Sequence, residues 1–467
     1  MKKLLFLLGF VLLTINVSCA FEIVYPTKQD VEINSPVTFF TGYENPELEL
    51  KINDEVVKLH ESGGFLYPVK LEKGENVFNI DNGELTKTYT ITNNQTYLDI
   101  KKETPITNYS SAKYFVVSKP NTPLRAEPVD GGINRLQHFD NGVLLKIVGE
   151  KDEFYMVELA QDSYAWIAKT SVVEKEDIDY SLTKIQNYTY NETKEKRVYT
   201  IKLEKKVPYI LTENRIYKID EETNKTTPSA KGLDLDIYNV DGFLDNIYKL
   251  HIDRIGKLCG YKIYYTPSNE LVVEVKTFNK YKTPLQGRTI TVDPGHGGTE
   301  LGAIGCLEDC EKDINLAIAL KLKDYLIENG ATVIMTRDCD CDLSLNDRVK
   351  ISQDNNSDAF ISIHNNSIPD NKAFSNPTGT STYYYYDQSR ELADKLQDEL
   401  TKTLNSKNEG VIQQSFAVVR NTQSPAVLVE VGYMIVPEDM VKLKDENYQD
   451  DVAKSMLNAI TRYFDEL

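Results

Sequence analysis

Thr291-Val292-Asp293-Pro294-Gly295-His296-Gly297-Gly298 is a short β-branched run that ends in a glycine-flanked histidine. That pattern is expected where a buried strand ends and the next helix begins. Three further segments have the same character: Glu311 heads a long amphipathic run, His364 lies in Ile361-Ser362-Ile363-His364-Asn365-Asn366, and Glu430 lies in Ala426-Val427-Leu428-Val429-Glu430-Val431-Gly432-Tyr433. Two imidazoles and a carboxylate can hold Zn²⁺ and leave a coordination position open for water, and a further glutamate can move that water's proton. The set points to zinc-dependent hydrolysis. A single histidine is more often a core or surface residue, but of the five histidines in the chain the two beyond residue 285 both fall inside these motifs. The glycine-rich turn lacks the G-x-G-x-x-G and G-x-x-x-x-G-K spacings, which disfavours a nucleotide site.

Outward from these motifs the pattern alternates strand and helix. Strands are expected over 289–293, 331–336, 359–364, 380–386 and 425–430, and helices over 311–329, 344–355, 389–404 and around 452–464. Ile314, Ile318, Leu322 and Tyr325 share one face of the first helix, and Gly330 stops it. Such alternation implies a C-terminal α/β domain, a mostly parallel sheet covered by helices, with its site at the carboxyl ends of the strands.

These segments resemble the zinc-dependent N-acetylmuramoyl-L-alanine amidases of the amidase-3 family, which cut the peptide stem from the glycan of peptidoglycan. The resemblance runs over 287–467 and also takes in Gly302-Ala303, Thr336-Arg337, Leu345 to Arg348 and Pro425. It implies that His296, Glu311 and His364 are the zinc ligands and Glu430 the general acid/base. Asp293 is expected either to orient His296 or to cap the turn. The segment after Glu430 departs from the family, reading Gly432-Tyr433-Met434-Ile435-Val436 where a Gly-Phe and a Ser-Asn pair are usual. Some members carry a long inserted helix that plugs the zinc site. Here only Asn365 to Thr378 separate His364 from Gly379, so the site is expected to be open unless an N-terminal module covers it. The alternatives are a zinc peptidase or amidase acting on another amide, and a non-catalytic wall-binding protein.

The rest of the chain reads as all-β modules. Residues 21–94 alternate apolar and polar (Leu48, Leu50, Ile52; Phe65, Tyr67, Val69) and resemble an immunoglobulin-like β-sandwich. Residues 113–174, with Pro123 to Pro128, Gly142 to Ile147 and Ala165-Trp166-Ile167, resemble a bacterial SH3-like barrel. Trp166, the only tryptophan, either fills the barrel core or belongs to a wall-peptide site. Residues 196–286 form a third β-rich region placed like the targeting domains that precede such enzymes. Linkers are expected over 95–112 and 174–195, and wall binding through 21–286.

Met1-Lys2-Lys3, the apolar run Leu4 to Ile15 and Ser18-Cys19-Ala20 form a signal peptide over 1–20. This implies an exported, periplasmic or cell-envelope protein; lipoprotein processing at Cys19 is the competing reading, against which Asn16 stands. No other stretch is long and apolar enough for a membrane span. A net charge of −18 argues against nucleic acid as a partner. Five cysteines follow the signal: Cys259, Cys306, Cys310, Cys339 and Cys341. A bridge from the Cys306/Cys310 loop to the Cys339/Cys341 loop would steady Glu311, while bridges within each pair and free thiols are the alternatives.

Overall fold

The computed structural model describes residues 21–95, 104–176, 179–219, 226–253, 257–277, 283–375 and 377–466. The signal peptide, Cys19 included, lies outside the described residues.

The C-terminal domain is built on a six-stranded mixed sheet. Its strands are β1 (Thr289–Pro294), β2 (Thr332–Met335), β3 (Ala359–Asn366), β4 (Thr380–Tyr384), β5 (Asn408–Gln413) and β6 (Ala426–Tyr433). The spatial order is β2-β1-β3-β6-β4-β5; every neighbouring pair is parallel except β6 with β4. The helices are α1 (Glu311–Glu328), α2 (Leu345–Asp354), α3 (Arg390–Leu404), α4 (Pro437–Lys444) and α5 (Glu446–Asp465). Because successive strand residues face opposite sides, Ile361, Ile363, Val427 and Val429 pack beneath α1, α3 and α5. Phe360, Ala426 and Leu428 pack on the other side with Val418, Val419 and Val349 of α2. Burial on both faces explains why β1, β3 and β6 read as near-continuous apolar runs. Two short elements were not expected: β5 is a half-exposed edge strand with little alternation, and α4 begins at Pro437.

The first N-terminal unit is a sandwich of a three-stranded and a five-stranded sheet around Phe40, Leu50, Ile80 and Ile91. The second is a seven-stranded antiparallel sheet from Thr107 to Glu174. Strand Thr107–Val117 occupies part of the segment expected as the first linker, and strand Ile185–Glu192 part of the second. Both are polar where they were missed. Ile185–Glu192 is almost wholly exposed and held by backbone pairing to Lys196–Leu203, so no buried face imposed an alternation to read. The third unit has a four-stranded and a three-stranded sheet. It shares one continuous core with the second: Tyr209 packs 5.4 Å from Phe139 and 5.5 Å from Tyr265, ring centre to ring centre. Trp166 stands apart from that core, buried in a small cluster with Phe154 and Met156.

The C-terminal domain is gripped from two sides. The third unit ties to it through Arg215 with Asp387 (2.6 Å), Tyr261 N–H to the Thr422 carbonyl (2.8 Å) and Lys276 to the Ser357 carbonyl (2.7 Å). The first unit sits on the segment that follows His364. Tyr25 and Thr38 hydroxyls both donate to Asp370 Oδ1, at 2.8 and 2.6 Å. Around that polar pair Phe39 packs on Ala373 and Ile435. The short segment that cannot plug the site is instead a docking point for the N-terminal sandwich. Phe39→Ala is expected to lower stability by about 3 kcal/mol, measured as a shifted denaturation midpoint accompanied by faster proteolysis between the sandwich and the rest; an unchanged midpoint would mean this contact does not hold the units together.

Candidate metal centre

β1 runs into the loop that carries His296, which adopts φ +57°, a left-handed conformation unusual for a side-chain-bearing residue. Buried guanidinium groups hold it there. Arg348 Nη1 donates to Asp293 Oδ1 (2.8 Å) and to the Pro294 carbonyl (2.7 Å), and its Nη2 donates to the His296 carbonyl (2.7 Å). Arg337 donates to the carbonyls of Pro294 (3.0 Å), Gly295 (2.9 Å) and Lys312 (2.8 Å). Arg348 is delivered by α2, whose N-terminus Ser344 caps through the Asp347 N–H (3.2 Å). Asp293 is fully buried and accepts from Thr336 (2.6 Å) and Ser362 (2.7 Å) as well as Arg348. It therefore braces the strand ends and the loop and is not the acceptor that orients the His296 ring.

Glu311 opens α1, where the helix dipole favours a carboxylate. Its side chain is 4 % exposed and lies between the two histidines, 3.2 Å from His296 Nε2 and 2.9 Å from His364 Nδ1. Three more donors converge on it: Ala303 N–H (2.8 Å), Asn365 N–H (3.1 Å) and Asn315 Nδ2 (3.1 Å). Burial alone would raise the carboxyl, but the hydrogen bonds and charge of the two imidazoles outweigh it and hold it well below the usual carboxylate range. Two glycines leave room for this packing. A Cβ on Gly295 would lie 2.1 Å from the His364 ring, and one on Gly302 would lie 2.5 Å from Glu311 Oε2.

His296, Glu311 and His364 each present one ligand atom within 4.8 Å of the others. The group fits a tetrahedral zinc that keeps a fourth position for water. Glu430 is the register partner of His364 across β3 and β6. Its Oε2 is buried and, among the described residues, has no hydrogen-bond partner. Burial and the nearby Glu311 charge push its carboxyl well above the ordinary range. The structure thus brings the four residues singled out in the sequence to one place. Asn315 went unnoticed; it lies four residues after Glu311 on the same helical face, the one signal that could have found it. Asn365 supports it in turn, donating to Asn315 Oδ1 at 2.8 Å.

The expected bridge between the two loops does not form. Cys339 is bonded to Cys341, with Cα atoms 5.6 Å apart, while Cys306 and Cys310 are free. Cys306 turns inward, its thiol pushed up to about 12 by burial. The bridged loop still steadies the site, since Asp340 accepts the Gly298 N–H (2.7 Å) and Asp342 the Thr299 N–H (2.8 Å). Tyr433, where the family usually has phenylalanine, donates to Glu409 (2.6 Å). Ile435, in the divergent segment, forms part of the seat for the first unit.

The family model for N-acetylmuramoyl-L-alanine amidase matches residues 290–462. The germination-specific N-acetylmuramoyl-L-alanine amidase of Bacillus subtilis is 36% identical over 207 residues, covering 41% of this chain and 85% of that protein. The probable cell wall amidase LytH of Staphylococcus aureus is 36% identical over 234 residues, 47% of this chain and 77% of that protein. Among solved structures, the catalytic domain of CwlV, an N-acetylmuramoyl-L-alanine amidase from Bacillus (Paenibacillus) polymyxa var. colistinus, is 35% identical with a TM-score of 0.37, covering 38% of this chain and 99% of that one.

Replacing Arg348 by methionine removes the cation from a buried pair and leaves Asp293 uncompensated. The expected loss is about 3–5 kcal/mol of stability, read by urea denaturation, with weaker metal retention because the His296 carbonyl is released. A stable variant with full metal content would show that the pair does not hold the loop.

Proposed function

Because the chain belongs to the N-acetylmuramoyl-L-alanine amidase family, we propose that His296, Glu311 and His364 hold Zn²⁺ and that Glu430 is the general acid/base of the reaction. The enzyme is a peptidoglycan hydrolase that cleaves the amide bond between N-acetylmuramic acid and L-alanine. The observation that carries the residue assignment is the unpartnered, buried Glu430 Oε2 beside a converging His-Glu-His group. When bound, zinc supplies Lewis-acid chemistry, polarising the amide carbonyl and lowering the pKa of water.

The chain's own residues supply the rest. The histidines stand nearly edge to face, with ring centres 4.9 Å apart, and the nitrogens they turn towards Glu311 are the ones that would bind the ion. Glu430 takes the proton from the attacking water and returns it to the amine of L-alanine as the amide bond breaks. Residues 21–286 place the enzyme on the wall, and the chain works in the cell envelope after loss of residues 1–20. The lysine-led apolar N-terminus and a relative named as a cell wall amidase support that location.

His296→Ala and His364→Ala are each expected to lose bound zinc, since two protein ligands hold the ion too weakly; stoichiometric zinc by elemental analysis of both variants would overturn the ligand set. Glu430→Gln is expected to keep zinc while activity falls by ~10² or more. Mass spectrometry of digested peptidoglycan is the readout, and either equal activity or loss of metal would mean that the roles of Glu311 and Glu430 are misassigned.

A further inference from the structure

Where the second unit meets the catalytic domain, three guanidinium groups share one small region. Arg125 and Arg135 are direct cross-strand partners, an arrangement that sets like charges opposite each other and is destabilising by itself. Arg420 comes from the catalytic domain, anchored through Nη1 on the Ser415 carbonyl at 2.5 Å. Beside it Tyr385 brings its hydroxyl to the Arg135 main chain, which links the two sides. The only carboxylate that pairs with any of the three, among the described residues, is Asp130, 2.7 Å from Arg125 Nη2 and 80% exposed. Arg125 Nη1 reaches Asn134 Oδ1 at 3.3 Å.

Two donors remain unused. Arg125 Nε and Arg135 Nη1 are buried and have no hydrogen-bond partner. Arg125 is 4% exposed; its pairing with Asp130 and its place 5.9 Å from the Phe154 ring centre leave its Nε unsatisfied, and a buried donor without a partner is costly. The excess of positive charge also reaches His138, on the same strand as Arg135. Burial, then Arg135, Arg420 and Arg125, push its imidazole down to about 4, so it adds no further charge at neutral pH. Arg135 and Arg420 keep part of their surface in solvent, which leaves a way in. In a chain of net charge −18, three guanidinium groups with idle donors and a single carboxylate partner are short of negative charge.

We propose that Arg125, Arg135 and Arg420 form a binding site for a carboxylate, supplied by the peptide stem of peptidoglycan. The assignment rests on the peptidoglycan reading above. Planar guanidinium forks match a carboxylate's two oxygens, and the stem peptide carries such groups. A wall polyanion is disfavoured, because the chain's net charge of −18 works against a partner that carries many negative charges. The junction then works as a second hold on substrate, contributed jointly by an N-terminal unit and the catalytic domain.

The test is calorimetric titration of the full, zinc-loaded protein with three probes: a synthetic stem peptide with free carboxylates, the same peptide with its carboxylates amidated, and a glycerol phosphate oligomer. Saturable binding of the first alone is expected, weakened about tenfold or more by Arg135→Gln. Arg135→Gln without ligand is expected to melt no lower than the parent, since one of two facing like charges is gone. Arg420→Gln, on the other side of the junction, is expected to show the same loss of binding and serves if Arg135→Gln does not fold. No saturable binding, equal binding of the amidated peptide, binding of the glycerol phosphate oligomer alone, or full affinity in the folded variants would each overturn the proposal. Hydrolysis of a soluble muropeptide, measured on the same samples, separates the two readings: activity without carboxylate binding discards this site and leaves the amidase assignment standing.

Discussion

The buried Glu311 carboxylate is the constraint around which the C-terminal domain is arranged. A carboxylate that is 4% exposed persists in ionised form only if partners surround it, and here five groups do: two backbone N–H groups and one amide donate to it, and two imidazole nitrogens face it at 3.2 and 2.9 Å. Each partner commits a separate piece of chain. The backbone groups fix the loop at Ala303 and the strand end at Asn365, Asn315 fixes the first turn of α1, and the imidazoles fix the ends of β1 and β3. The buried Asp293–Arg348 pair provides a second layer, holding the main chain on either side of His296. The geometry of His296, Glu311 and His364 is thus set in large part by groups outside the trio.

Much of this was legible in the sequence for a physical reason. Strands β1, β3 and β6 are covered on both faces, so they had to be apolar almost throughout, and the polar residues that interrupt them at their carboxyl ends stood out. Elements with exposed faces carried no such mark. β5 lies at the sheet edge, and Ile185–Glu192 is solvated on both sides. Arg337 and Arg348 were noticed as parts of motifs, but their role as braces of the His296 loop depends on contacts across 40 to 55 residues that no local pattern encodes. The cysteines misled because spacing says nothing about which way a side chain turns. Cys306 faces inward and the neighbouring pair closes on itself.

The N-terminal units are not beads on a string. The second and third share a core through Tyr209, and the third is tied to the catalytic domain by Arg215 and Lys276. Residues outside the catalytic region thereby help to set the position of Tyr385, Asp387 and Ser357. The departure of Tyr433 to Val436 from the usual family pattern has a structural counterpart, because Ile435 gives Phe39 an apolar surface to rest on.

The contact between Tyr25 and Asp370 spans 345 positions of sequence. A chain made from its N-terminus completes the sandwich long before the residues that receive it exist. During synthesis Phe39 and the hydroxyls of Tyr25 and Thr38 therefore have no seat, and closing so long a loop is among the last and slowest steps of folding. The order of manufacture is thus the reverse of the order of assembly: the first part built is the last part docked. A chain arrested before residue 370 would hold finished β modules whose docking face stays uncovered.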